Sequence, residues 1–249
     1  NHKHLANHLL SEYGVPVPKA LFVPRDDFKN GKVDFSMLSY PVVAKPNANT
    51  GGGTDVFCNI QNQAMLMQYL SEAFKQYKEI IIEKFHRDLK SYRVLVFYGQ
   101  VLGVVERSPA KIIGDGVNSV RALVEKENNT RRQMGKEVTL KAILLNEEAC
   151  IILKDQCLDL ESIPAKGQVV KLCYTSNSGR GGTMKTANSE ICEANKRLAK
   201  KAAKILNLNL VGFDFLCEDI SIPLDKKTGV ILEANHSPDI SINESPTSG

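Results

Sequence analysis

Long apolar runs are missing from this chain of 249 residues. Nowhere do eighteen apolar residues follow one another, so no membrane span is expected. The N-terminus carries neither an apolar signal segment nor a Met, as expected of a processed or excised piece. Charge of one sign is also scarce: the net charge is only +4, and the basic residues are scattered. A nucleic-acid partner calls for a concentrated basic face, so none is expected. The six Cys, at 58, 150, 157, 173, 192 and 217, form no C-x-x-C pair. That argues against a zinc or disulfide framework and for buried thiols in a reducing cytoplasm. Familiar nucleotide signatures are absent too. No G-K-[ST] follows the triple glycine at Gly51, Gly52 and Gly53, which excludes a Walker A loop, and no complete G-x-G-x-x-G occurs. His86-Arg87-Asp88-Leu89-Lys90 spells the opening of a protein-kinase catalytic loop. Arg93 stands where that loop needs its metal-binding Asn, and no D-F-G follows, so the match is accidental.

What is present is an ordinary globular composition, 43% apolar and 24% charged, on a chain long enough for a large core or two lobes. The most informative stretch is Asn209 to Leu216 followed by Gly229 to Asn235. Both halves read as buried strands, and Pro223 and Asp225 are turn formers between them. Paired as a hairpin, the strands bring Asp214, Glu233 and Asn235 together between apolar neighbours. Two buried like charges are costly without a cation, and hard oxygen donors suit Mg²⁺ or Mn²⁺. The plain alternative is a surface hairpin with ordinary polar positions.

The other segments supply possible partners for that site. His2 to Tyr13 predicts a helix with Leu5, Leu9 and Leu10 inward, Lys3 at its start and Gly14 at its end. Tyr40 to Pro46 reads as a strand ending at Lys45, then a glycine loop, Asn47 to Val56, able to cradle phosphate or to be a plain hairpin tip. Gln63 to Tyr77 predicts a helix with Leu66, Leu70, Ala73 and Phe74 on one face. Glu79 to Phe85 reads as a strand whose end suits a purine ring. Tyr92–Phe97 and Val101–Arg107 form a hairpin turning at Gly99. Asn118 or Ser119 caps a helix to about Glu127, Thr130 to Gly135 is a loop, Lys136 to Leu140 a connector, and Glu148 to Leu153 a strand. Gln168 to Tyr174 reads as a strand entering a second glycine-rich loop, whose Arg180 can reach a phosphoryl group or be solvated. Ser189 to Asn207 predicts an amphipathic helix with a solvated lysine side.

The order of these pieces resembles the ATP-grasp domain of cyanophycin synthetase and of bifunctional glutamate–cysteine ligase/glutathione synthetase. The resemblance covers essentially the whole chain. It is carried by Gly14-Val15-Pro16-Val17-Pro18, Val43-Ala44-Lys45-Pro46, Glu83-Lys84-Phe85, Tyr92-Arg93, Pro109-Ala110-Lys111-Ile112-Ile113-Gly114-Asp115-Gly116, Asn177 with Gly181-Gly182-Thr183, Gly212 with Asp214, Asp219 to Leu224, and Glu233-Ala234-Asn235. It implies an α+β fold of two lobes with mainly antiparallel sheets clasping ATP. The first helix would be 1–15, the small lobe with its glycine-rich lid 16–88, and the large lobe with the metal site 89–249. The implied activity is ATP-dependent carboxylate–amine ligation through an acyl-phosphate, on amino acid or peptide substrates. A catalytically weakened nucleotide-binding module of a larger protein is the alternative.

By the same resemblance, Lys3 and Lys45 bind ATP phosphates under the backbone of Gly51, Gly52, Gly53 and Thr54. Glu83 meets the adenine amino group, and Lys84, Phe85 and His86 form the purine hinge. Asp214, Glu233 and Asn235 hold two Mg²⁺ ions. Arg93 and Arg180 stabilise the transferring phosphoryl group, with Asn177 in support. Ser91 takes the ribose place, where relatives usually carry an acid; Asp88 is the candidate substitute for it. Cys173 stands where relatives often carry an Arg, with Lys171 nearby, and Pro238-Asp239 replaces Pro-Gly. These departures allow altered substrate choice or weakened catalysis. An additional N-terminal domain of a larger chain is expected, and an oligomer is compatible with the reading.

Overall fold

The structure is a computed structural model, and it describes residues 2–48, 55–134 and 140–244. The elements run α1 (Lys3–Glu12), β1 (Ala20–Pro24), α2 (Arg25–Lys29), β2 (Val42–Pro46), β3 (Phe57–Ile60), α3 (Gln63–Gln76) and β4 (Glu79–Lys84). Next come β5 (Lys90–Phe97), β6 (Gln100–Ser108), β7 (Lys111–Ile113), α4 (Val120–Gln133), α5 (Glu147–Asp155) and β8 (Val169–Lys171). A 3-10 turn (Ser178–Arg180) precedes β9 (Thr183–Thr186), α6 (Glu193–Ile205), β10 (Leu210–Cys217), β11 (Gly229–Asn235) and a short α7 (Ser241–Glu244). Helices and antiparallel sheets are mixed, as the α+β expectation requires.

The chain forms two compact units, residues 1–104 with 188–239 and residues 105–187 with 240–249. The expected lobe boundary at 88–89 falls inside the first unit. That unit holds a four-stranded sheet in the order β1-β4-β2-β3, antiparallel throughout. One face of it is apolar: Val23, Val42, Ala44, Ile80 and Ile82 bury against Leu66, Leu70, Ala73 and Phe74 of α3. Asn62 caps α3 by accepting the Met65 amide at 3.0 Å. Strand alternation then puts Val43, Lys45, Ile81 and Glu83 on the opposite face. A second sheet in this unit places β10 between β5 and β11. Its fully apolar face, including Tyr92, Val94, Val96, Val211, Phe213 and Phe215, is buried, and the Ala-rich α6 packs on β5 and β10. Buried Asn195 of α6 donates to the carbonyls of Ile220 and Ile222 and accepts from the Leu224 amide, each at 2.8 Å, which fixes the β10–β11 connection.

The second unit pairs the end of β6 with β9, and β7 with β8. Its core joins Ala110, Ile112, Val120, Leu123, Val124, Ile143, Leu153 and Val170. Here the structure departs from several sequence expectations. Glu148 to Leu153 is helix, not strand: Asn146 caps it, Glu147 and Glu148 occupy its first turn and Lys154 its last, all favourable to the helix dipole. The apolar run misled because a short run has no readable period. Ser119 does cap α4, but the helix continues past Glu127 to Gln133. Arg131 explains this: it is buried, pairs with Glu127 one turn back, and donates to the carbonyls of Lys141 and Gly181. Of the predicted connector at 136–140, residues 136–139 lie outside the described residues. In α1, Leu5 and Leu9 face outward and Lys3, Asn7 and Leu10 face inward. The helix is turned by a polar tether described below. The long amphipathic helix starts at Glu193 and buries Asn195, Ala199, Ala202 and Ala203. None of the six Cys forms a disulfide, but only Cys173 and Cys217 are buried and Cys157 is exposed. Burial pushes the Cys217 thiol up to about 12, so it stays protonated at neutral pH. Among the described residues no helix is long and apolar enough to cross a membrane.

Candidate active site

The second sheet of the first unit has one polar face. Antiparallel register sets Arg93, Asp214 and Glu233 in one row across β5, β10 and β11, and Leu95, Gly212 and Asn235 in the next. Residues paired in this way share a face. Arg93 Nε donates to Asp214 Oδ1 at 2.6 Å, and its NH2 reaches Oδ2 at 3.5 Å. Glu233 Oε1 lies 3.4 Å from Nζ of Lys3, which is buried on α1. Gly212 is required beside them: a Cβ there would stand 2.8 Å from the Arg93 guanidinium and 2.9 Å from Pro238. Asn235 Nδ2 donates to the Gly212 carbonyl at 3.3 Å, which leaves Oδ1 as the acceptor end of the amide.

The expected trio Asp214, Glu233 and Asn235 is therefore brought onto one face. A metal is not needed to neutralise it, contrary to the sequence expectation, because Arg93 and Lys3 already supply a protein cation to each carboxylate. Among the described residues, no group of three or more His, Cys, Asp or Glu is placed to hold a metal ion. The donor set, two carboxylates and an amide oxygen, nonetheless fits a hard divalent cation. Glu233 is the more available of the two carboxylates, with its side chain 22% exposed against 9% for Asp214 and only loosely held by Lys3.

The four-stranded sheet carries the second polar group. Lys45 Nζ and Glu83 Oε2 form a 2.7 Å ion pair, both side chains almost wholly buried. The other oxygen of Glu83, Oε1, is buried with no hydrogen-bond partner among the described residues. An unsatisfied buried acceptor costs about 1–3 kcal/mol, more when charged. It suits an added N–H donor, such as the amino group of a purine. At the strand end Lys84 is exposed, and beyond it Phe85 and His86 are half-buried. Burial, with the charge of Lys84 adding to it, lowers the His86 imidazole below its usual range. The Phe85 amide donates to the Pro41 carbonyl at 3.0 Å, so that hinge donor is already used within the chain. Ser91 is buried on β5, on the same side of the sheet as Arg93. Gly51, Gly52, Gly53 and Thr54 lie outside the described residues.

Asn177 and Arg180 belong to the second unit. Asn177 caps the 3-10 turn: its Oδ1 accepts the Gly179 amide at 2.8 Å, and its carbonyl accepts those of Arg180 and Gly182. Gly181 has φ +85°, and a Cβ on it would lie 2.9 Å from Ile143 Cα. Arg180 pairs with Glu148 and donates to Thr175 Oγ1 at 3.2 Å. The Cys173 thiol, 3.3 Å from that same hydroxyl, is pushed up mainly by burial. Sequence reading missed Glu148, placing it in a strand, and Arg131, placing it in a loop. The capping Asn146 and the Glu127–Arg131 spacing were the available signals.

No protein-family model matches the chain. It is 30% identical over 243 residues to cyanophycin synthetase of Geminocystis herdmanii, covering 96% of this chain and 28% of that protein. It is 31% identical over 244 residues to the glutathione biosynthesis bifunctional protein GshAB of Clostridium perfringens, covering 97% of this chain and 31% of that protein. The crystal structure of a bifunctional glutathione synthetase from Pasteurella multocida superposes with a TM-score of 0.60 at 28% identity, over 99% of this chain and 34% of that one. The chain thus spans about a third or less of the length of these relatives. Its fold is the ATP-grasp fold, and it resembles the ATP-grasp portions of both enzymes.

Proposed function

We propose that this ATP-grasp chain is the ATP-dependent ligase part of a larger protein, joining the carboxylate of an amino acid or peptide to an amine. The observation that carries the reading is the row Arg93, Asp214 and Glu233 with Lys3 against it, in the same unit as the buried Lys45–Glu83 pair. Cations and hard oxygen donors are assembled there on rigid strands, as preorganised electrostatic catalysis requires. Asp214, Glu233 and Asn235 would hold Mg²⁺, or Mn²⁺, as two ions. Lys3 and Lys45 would bind phosphate oxygens, and Glu83 would accept from the adenine amino group. The bound nucleotide would supply a phosphoryl group that activates the substrate carboxylate as an acyl-phosphate. Arg93 and Arg180 would neutralise charge on that group, Asn177 would hold the Arg180 loop in place, and Ser91 would border the ribose. The work left to the protein is positioning and charge neutralisation.

One observation favours a second reading. Lys3, Arg93 and Arg180 each have an acid of the chain as partner. A module that binds nucleotide for regulation or assembly, without turnover, fits cations engaged in this way. A screen of ADP release across amino acid and dipeptide pairs, run on the full-length protein, separates the two. The ligase predicts ADP and an amide only when carboxylate and amine are both present. Tight ATP binding with no ADP from any pair favours the second reading, and a phosphorylated product without an amide contradicts both.

A further inference from the structure

Asn47 stands two residues after Lys45 and is 2% exposed. Every polar group it owns is engaged. Its carbonyl accepts the Lys3 amide at 3.2 Å, and its Oδ1 accepts the His4 amide at 3.0 Å. Its own amide donates to the Glu79 carbonyl at 3.1 Å, and its Nδ2 donates to Glu79 Oε2 at 2.7 Å. The geometry points to Asn47, held by Glu79, as the residue that positions Lys3 against Glu233 and thereby sets the spacing of the two phosphate-binding lysines.

The first amides of a helix lack internal partners. In α1 the N-cap His2 makes no side-chain cap bond, and the first turn contains no acid. Asn47 does this work from 43 residues away, as a cap supplied by another segment. Because it ties α1 to β2 and β4, it places Lys3, the first residue of α1, whose Nζ meets Glu233. Stacking of His4 on Phe22, with centroids 4.6 Å apart, holds the same turn against β1. Lys45 is carried by the same strand that ends at Pro46. One side chain therefore couples the row on the second sheet to the pair on the first. Asn47 need not touch the nucleotide to do this.

The inference rests on the ATP-dependent reading above, so its test has one readout that needs nucleotide and one that does not. In the full-length protein, Asn47→Leu removes the side-chain cap at similar volume. Hydrogen exchange at the His4 amide should rise roughly fivefold for the lost bond. The KM for ATP should rise about tenfold or more, since small misplacements of binding groups are costly. Asn47→Asp sets a carboxylate against Glu79 and should do the same, less so at acidic pH. Combined with Glu79→Gln, the new carboxylate still accepts from the His4 amide, and the new amide at 79 donates to it. That double variant should recover the wild-type KM and exchange rate. A purely architectural role predicts a lower melting temperature with an unchanged KM for ATP, and that result overturns the proposal. So does failure of the double variant to recover. If the wild type binds no ATP while exchange still responds, the functional reading fails and the positioning role fails with it.

Discussion

Glu233→Gln is expected to lower turnover by about a thousandfold or more, because charge stabilisation by a metal-binding carboxylate is lost at the phosphoryl group. The fold should survive. Glu233 lies on β11 with a partly exposed side chain, and its 3.4 Å contact with Lys3 is loose. Glutamine keeps the volume and an oxygen facing Lys3; because the Lys3 side chain is only 7% exposed, some stability should be lost, but less than where a tight, fully buried pair is broken. Steady-state ADP release and a thermal melt, taken together, check both halves. Wild-type turnover in this variant removes Glu233 from the metal site. Asp214→Asn makes the contrast: its carboxylate is held at 2.6 Å by Arg93 in a nearly buried setting, so that variant should lose stability as well as activity.

The largest stability effect is expected at the other buried pair. Glu83→Gln leaves the Lys45 ammonium in a site where its side chain is 7% exposed, without its 2.7 Å counter-charge. Breaking one side of such a pair costs about 3–5 kcal/mol, against a typical domain stability of about 5–15 kcal/mol. Lys45→Met with Glu83→Gln removes both charges and should regain most of that loss. Urea unfolding of the wild type, both single variants and the double variant gives the cycle. A strong favourable coupling is predicted, and additive losses contradict the pairing. The double variant should still fail to bind ATP, which separates the stabilising from the binding role of these residues.

How far the sequence could be read depended on which force set each element. Strands β10 and β11 were legible because alternation is unambiguous when one face is fully apolar; their pairing brought Asp214, Glu233 and Asn235 together as expected, while the register that sets Asp214 opposite Glu233 came from the structure. Lys45 and Glu83 were likewise readable as strand ends, although their mutual pairing was not. What escaped was set by distant contacts. The inward face of α1 is decided by Asn47 and Glu233, not by the leucine pattern, so Leu5 and Leu9 came out exposed. The length of α4 is decided by where the Arg131 guanidinium finds carbonyls, and no local signal reports Lys141 or Gly181. Glu148 escaped for the opposite reason. Its helix was marked by Asn146, but the apolar run behind it is too short to show a period. The ion pairs of Lys3 and Arg93 also revise the electrostatic logic of the site: a metal has to add to a balanced set of charges instead of rescuing an unbalanced one.

The central claim, that Asp214, Glu233 and Asn235 form an oxygen-donor site for a divalent ion that acts with nucleotide, is tested most directly by titrating Mn²⁺ in the presence of a non-hydrolysable ATP analogue. The free-ion electron paramagnetic resonance signal reports binding. The wild type should deplete that signal, and Glu233→Gln should weaken the binding by about tenfold or more, since loss of one ligand charge costs at least about 1.4 kcal/mol. Equal Mn²⁺ affinity in the two proteins would contradict the account.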